Sequence, residues 1–184
     1  DISGLYFCDA SGSSITGGGP LDISANTVHI KTNLIVDGSG VIQTLTVGLG
    51  GGDISSNTVV GHQALQKNTT GTQNVALGYL ALHNNSGGNW NTAVGVNALN
   101  QNTDGSRNVA IGLSALYFNK TGYNNVALGC QALNKNTASG NTATGYQALA
   151  LNETGSNNVA TGFQALYNNI IGNDNTATGS QALY

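Results

Sequence analysis

The chain has no methionine, a single proline, two cysteines and one tryptophan, and only 7% of its residues are charged. An average globular protein carries roughly 25% charged residues. Each shortage removes a class of protein. Cys8 and Cys130 lie far apart and make neither a disulfide framework nor a metal-ligand spacing, so Cys130 is expected to be a buried free thiol. The five basic residues, Lys31, Lys67, Arg107, Lys120 and Lys135, are scattered through a chain of net charge −3. That leaves no patch able to track phosphates, and a nucleic-acid partner is not expected. No apolar run approaches the ~18 residues that span a bilayer, and no signal peptide is legible, so membrane insertion is not expected either. The missing methionine, with a start at Asp1 and a stop at Tyr184 in mid-repeat, reads as a processed piece or the ordered part of something longer.

What the chain does have is glycine, 27 residues of it, with abundant Asn and Thr. Such a composition could mark a flexible linker, but a strict period argues otherwise. Segments starting at Asn57, Asn74, Asn91, Asn108, Asn125, Asn141, Asn158 and Asn175 align at a spacing of 17 residues, with a single step of 16 between Asn125 and Asn141. Counting each unit from its Asn, position 5 is always Gly, as in Gly78, Gly95, Gly112 and Gly129. Positions 8 and 9 are always Ala-Leu, as in Ala81-Leu82, Ala98-Leu99, Ala115-Leu116 and Ala132-Leu133. Position 12 is Asn in the seven copies long enough to reach it, and a Thr-Gly type of turn follows, as in Asn68–Gly71.

Positions 2 to 4 read Val-Ala-Leu, Thr-Ala-Val or Val-Ala-Ile, a short strand with alternation of period 2. The flanking residues point one way. The central Ala points the other, onto a face with room for little more than a methyl group. Gly at position 5 is expected to turn a corner with positive φ or to meet another backbone closely. Ala-Leu is expected to begin a second side of the coil, with Leu as its one large core residue. Asn at position 12 is expected to make the return turn, because Asn tolerates left-handed geometry and bonds its own backbone. Helical repeats are ruled out by the Gly, Asn, Thr and Val content and by the short unit. The expected fold is all-β, a parallel β-roll or β-solenoid of 17-residue coils spanning residues 53–184, with the last repeat truncated. Stacking at ~4.8 Å would make a rod of roughly 35–40 Å with Asn, Leu and Ala ladders along it.

Residues 1–52 are irregular. Strands are expected at 4–9, 27–36 and 41–47, a turn at 37–40, and breakers at Gly17–Pro20 and Gly48–Gly52. This region is expected to cap the solenoid or lead into it, since an open end is an unpaired sheet edge.

Asn108-Val-Ala-Ile-Gly112 and Asn125-Val-Ala-Leu-Gly129 resemble the head repeats of trimeric autotransporter adhesins. The longer form, Asn91-Thr-Ala-Val-Gly-Val-Asn-Ala-Leu99 with Asn102-Thr-Asp-Gly105, is similar to repeats in bacteriophage tail-fibre and appendage proteins, the cyanophage ones in particular. Leu45-Thr-Val-Gly-Leu-Gly-Gly51 also resembles those phage proteins. The resemblance implies a left-handed β-roll, a parallel homotrimer, and a structural, non-enzymatic role. On that reading the segment belongs to a virion fibre, next to other fibre or baseplate proteins, with a host-surface glycan or protein as a further partner. The alternative it carries is an adhesive head of a bacterial surface protein. This unit has a longer turn than the adhesin repeat. Apolar residues left on the sides of so thin a roll favour the trimer independently. In the last three copies that face turns to Thr142/Thr144, Val159/Thr161 and Thr176/Thr178, an end expected to be wetter.

Sites for chemistry are scarce. Asp104, Glu153 and Asp174 fall in turns of different repeats, and a glycosidase needs two carboxylates on one substrate. His29, His62 and His83 sit at unrelated positions and match no metal spacing. No catalytic residue, cofactor or metal is expected. Sequons at Asn68, Asn84, Asn119 and Asn152 mostly coincide with the turn Asn of position 12. The Thr-x-Thr pairs are too few for an ice-binding ladder. Aromatics at position 6 (Tyr79, Tyr146, Phe163) and positions 10–11 (Tyr117, Phe118, Tyr167) are expected to pack against neighbouring coils or chains rather than to bind sugar.

Overall fold

The computed structural model describes residues 47–184. The strands expected at 4–9 and 27–36, nearly all of that at 41–47, the turn at 37–40, Cys8 and His29 lie outside the described residues.

Three-residue strands recur once per repeat: β2 (Thr58–Val60), β3 (Val75–Leu77), β4 (Thr92–Val94), β5 (Val109–Ile111), β6 (Val126–Leu128), β7 (Thr142–Thr144), β8 (Val159–Thr161) and β9 (Thr176–Thr178). They form one parallel sheet in sequence order, with Ala76, Ala93, Ala110, Ala127, Ala143, Ala160 and Ala177 in register. The molecule is therefore a β-solenoid in which each repeat makes one coil. Coils are numbered 1 to 8 from Asn57 to Asn175. A two-residue strand, β1 (Val47–Gly48), pairs antiparallel with β2 and covers the first sheet edge.

Alternation within each strand sorts the side chains as the period requires. The central Ala is buried in every coil from Ala76 onward, while its two neighbours are half-buried or exposed. Leu65, Leu82, Leu99, Leu116, Leu133 and Leu149 stack as fully buried residues between the sheet and the opposite wall. Burying one such Leu contributes roughly 1.5–3 kcal/mol, and each coil supplies one.

Ala-Leu lies on the second side of the coil, as expected, and that side is no strand: positions 6 to 11 are a succession of tight turns. The Ala N–H donates to the position-5 Gly carbonyl at 3.3–3.4 Å, and the position-12 N–H donates to the Leu carbonyl at 3.1–3.3 Å. Residues at positions 7 and 9 adopt left-handed φ near 50–58°, Leu99 (51°) and Asn97 (58°) among them. Left-handed backbone repels a β-branched side chain far more than a γ-branched one. That explains why position 9 is Leu and never Val or Ile. A third left-handed residue sits at position 17, as in Trp90 (54°) and Arg107 (59°). Asn at position 12, expected to take this conformation, does not.

Gly at position 5 meets both requirements set out for it. Gly95 has φ 130°, and a Cβ there would lie 2.7 Å from the Gly112 carbonyl oxygen of the next coil. Glycine is also required at Gly51, where a Cβ would lie 2.5 Å from the Asn68 carbonyl oxygen. The Gly-rich stretch after β1 thereby folds over the first coil, and the Gly51 N–H donates to the Leu65 carbonyl at 2.9 Å.

Candidate functional site

Two buried Asn columns run the length of the coil stack. In the position-1 column the side-chain oxygen accepts the backbone N–H of the next Asn, as Asn74 does from Asn91 at 2.9 Å. Its Nδ2 donates to the position-15 carbonyl of its own coil, as Asn91 does to Gly105 at 2.8 Å. In the position-12 column the Nδ2 of Asn85, Asn102, Asn119, Asn152 and Asn169 donates to the position-15 carbonyl of its own coil and to the Oδ1 of the preceding Asn. Asn102 thus reaches Gly105 at 2.9 Å and Asn85 at 2.7 Å. The two columns converge on one carbonyl per coil, so buried amides with little apolar neighbourhood are satisfied, the Asn119 Oδ1 excepted. Asn74, Asn91, Asn108 and Asn125, picked out by spacing alone, all belong to the first column, and each is fully buried.

The outward face of the strand ladder carries the side chains not consumed by the coil. At position 4 stand Val60, Leu77, Val94, Ile111 and Leu128, then Thr144, Thr161 and Thr178. Leu77 and Ile111 are 44% and 42% exposed. Position 6 adds Tyr79, Val96, Leu113, Tyr146 and Phe163, every one exposed. Neighbouring rings in this column stack, His62 on Tyr79 at 5.8 Å and Tyr146 on Phe163 at 5.5 Å. The aromatics therefore do pack between coils, yet leave about half their surface to solvent. Cys130 belongs to the same column, and its thiol is free and half-buried rather than buried. Tyr117 meets Phe118 edge-on, and Tyr167 stacks on Tyr184.

Among the described residues Asp104, Glu153 and Asp174 are not brought together: they lie at positions 14, 13 and 17 of three different coils. His83 Nδ1 lies 3.0 Å from the Gln63 carbonyl, and Arg107 covers the Trp90 ring at 5.1 Å. Among the described residues no group of three or more His, Cys, Asp or Glu could hold a metal ion, and no helix is long and apolar enough to cross a membrane. Sequons at Asn68, Asn119 and Asn152 are fully or almost fully buried within the second Asn column, whereas Asn84 is half-buried. The outer apolar face is thus the principal surface the architecture leaves available for recognition. Its strand residues are those expected from the sequence; the structure adds that the position-6 side chains Tyr79, Val96, Leu113, Tyr146 and Phe163 are exposed as well.

The fold and this face define a β-solenoid repeat protein. No protein-family model, curated protein or solved structure matches the chain.

Proposed function

We propose that the chain is a non-enzymatic structural segment of a fibre, of the phage tail-fibre or virion-appendage kind, working as a parallel homotrimer that gives stiff reach toward a host. The observation that supports this reading is the apolar outer face over coils 1 to 5. Leu77, Val96, Ile111 and Leu113 are each at least 42% exposed and sit on successive coils. Side chains of this kind in one contiguous strip mark a surface that association covers. A parallel set of identical rods matches like coil to like coil along that strip and closes when three copies surround one axis. The phage assignment rests on the resemblance of the repeats.

Sedimentation equilibrium of the chain tests the assembly, with three chain masses as the expected result. The double substitution Leu77→Lys and Ile111→Lys should convert the trimer to monomer while the far-ultraviolet dichroism keeps its shape. A monomer before substitution would overturn the proposal.

A further inference from the structure

Coil 5 is the single short coil, 16 residues from Asn125 to Gly140, and the missing residue falls in its return turn, Asn136-Thr-Ala-Ser-Gly140. The shortage has measurable consequences at the seam with coil 4. In the three preceding seams, three consecutive N–H groups donate to one carbonyl of the next coil. Thr69, Thr70 and Gly71 donate to Ser86 at 2.9–3.2 Å; Ser86, Gly87 and Gly88 donate to Thr103; Thr103, Asp104 and Gly105 donate to Lys120. The equivalent groups of Lys120, Thr121 and Gly122 make no such bond to Thr137, and across the next seam Thr137 alone donates, to Glu153 at 2.9 Å, so the 4–5 seam is the one that loses all three.

The second Asn column breaks at the same place. Asn136 turns its Nδ2 to the Ala138 carbonyl at 2.8 Å instead of to Asn119. The Asn119 Oδ1 is the one buried side-chain polar atom without a partner among the described residues. Beyond the seam the column resumes, with Asn152 donating to the Asn136 Oδ1 at 2.7 Å.

The strand side shows no such gap. β5 and β6 stay in register, Asn125 N–H reaches the Asn108 Oδ1 at 3.0 Å, and Leu116 N–H reaches the Ala132 carbonyl at 3.0 Å. One wall of the seam is continuous; on the other, Gly140 N–H still donates to the Tyr123 carbonyl and Tyr123 N–H to the Ser139 Oγ, both at 3.0 Å, but the bonds of positions 12 to 15 are missing. The outer face also changes after coil 5, from Val, Leu and Ile to Thr at position 4.

We propose that the seam between coils 4 and 5 is a built-in joint. It divides the solenoid into two cooperative blocks, coils 1–4 and coils 5–8, hinged on the continuous strand wall and opening on the return-turn side. In a stack held by nearest-neighbour interfaces, a single weak interface sets where cooperativity is interrupted. Coil 5 still carries Leu128 at position 4, so the change to Thr begins one coil beyond the joint. This inference does not depend on the fibre assignment.

Native-state hydrogen exchange on the full chain tests it. The decisive comparison is with 69–71, where solvent exposure is matched: Thr69 and Thr70 are exposed and Gly71 buried, as Lys120 and Thr121 are exposed and Gly122 buried, whereas Ser86, Gly87 and Thr103 are half-buried. The amides of 120–122 should exchange about tenfold or more faster than those of 69–71, 86–88 and 103–105. Urea unfolding should show two steps, with Trp90 fluorescence following only the first block. A glycine inserted between Ala138 and Ser139 restores 17 residues and places Ser139 at position 16, where Ser106 and Ser156 stand. It should bring the 120–122 amides level with their equivalents and merge the two steps. Uniform protection across the four return turns of the native chain overturns the joint. So does a folded insertion variant that leaves the contrast unchanged. If that variant does not fold, the native exchange pattern alone decides.

Discussion

The break in the second Asn column sets up a comparison in which two identical substitutions should differ. Asn102→Ala removes donation to Asn85 Oδ1 (2.7 Å) and to Gly105 (2.9 Å), and acceptance from Asn119 Nδ2 (3.0 Å). Gly105 keeps the bond from Asn91, and Asn119 keeps its bond to Gly122, but Asn85 Oδ1 is left buried and unpartnered. Asn119→Ala removes only the donations to Asn102 Oδ1 and Gly122, both 3.0 Å. It orphans Asn102 Oδ1, but it also deletes the Asn119 oxygen that has no partner already. Both side chains are fully buried, so the cavity left by each truncation largely cancels. The difference is one hydrogen bond and one orphaned oxygen, about 2 kcal/mol in favour of the Asn119 variant. With a urea slope of about 2 kcal/mol/M, the midpoints should differ by about 1 M. Trp90 fluorescence reads both, since Trp90, Asn102 and Asn119 all belong to coils 2 to 4. Equal midpoints, or a lower one for Asn119→Ala, would refute the reasoning about the column.

Two further substitutions probe the backbone. Leu99→Ile conserves volume and would cost under about 1.5 kcal/mol in an ordinary core. Here φ is 51°, a conformation in which a β-branched residue is a steric outlier while Leu and Met are not, so thermal unfolding of Leu99→Ile should fall well below that of Leu99→Met. Gly95→Ala combines φ 130° with a Cβ lying 2.7 Å from the Gly112 carbonyl oxygen, and should cost about 3 kcal/mol by urea denaturation. An Ala variant as stable as the parent would show that coil spacing is softer than the stacked glycines imply.

The period exposed every feature that each coil repeats by identity. Gly at position 5, Ala at position 3 and Leu at position 9 were legible because stacked copies meet the same neighbours above and below. What stayed hidden was repeated by conformation instead. Position 7 is Gln63, Leu80, Asn97 or Ser114, and position 17 is Gln73, Trp90, Arg107 or Asn124, yet all are left-handed. The signal there is an exclusion: neither position ever holds Val, Ile or Thr. Read that way, two left-handed residues flanking Ala turn the chain too sharply for a second strand, which is why Ala-Leu lies in turns. The step of 16 was equally visible, but spacing alone does not say which hydrogen bonds a missing residue breaks.

Division of labour along the coil bears on where recognition can reside. Positions 1, 3, 5, 8, 9, 12 and 15 are occupied by the Asn columns, the Ala face, the Gly corners and the Leu stack. Substitution at any of them disturbs two interfaces at once, so functional specialisation there is costly. The outward positions 2, 4 and 6 pair only with their equivalents above and below, through side chains that change from Tyr79 to Val96 to Leu113 without disturbing a buried bond. A partner can therefore be selected coil by coil on that face while the scaffold stays constant. The change from Ile111 and Leu128 to Thr144, Thr161 and Thr178 is of this kind. It alters what the rod presents along its length and leaves the Ala and Leu stacks beneath it as they were.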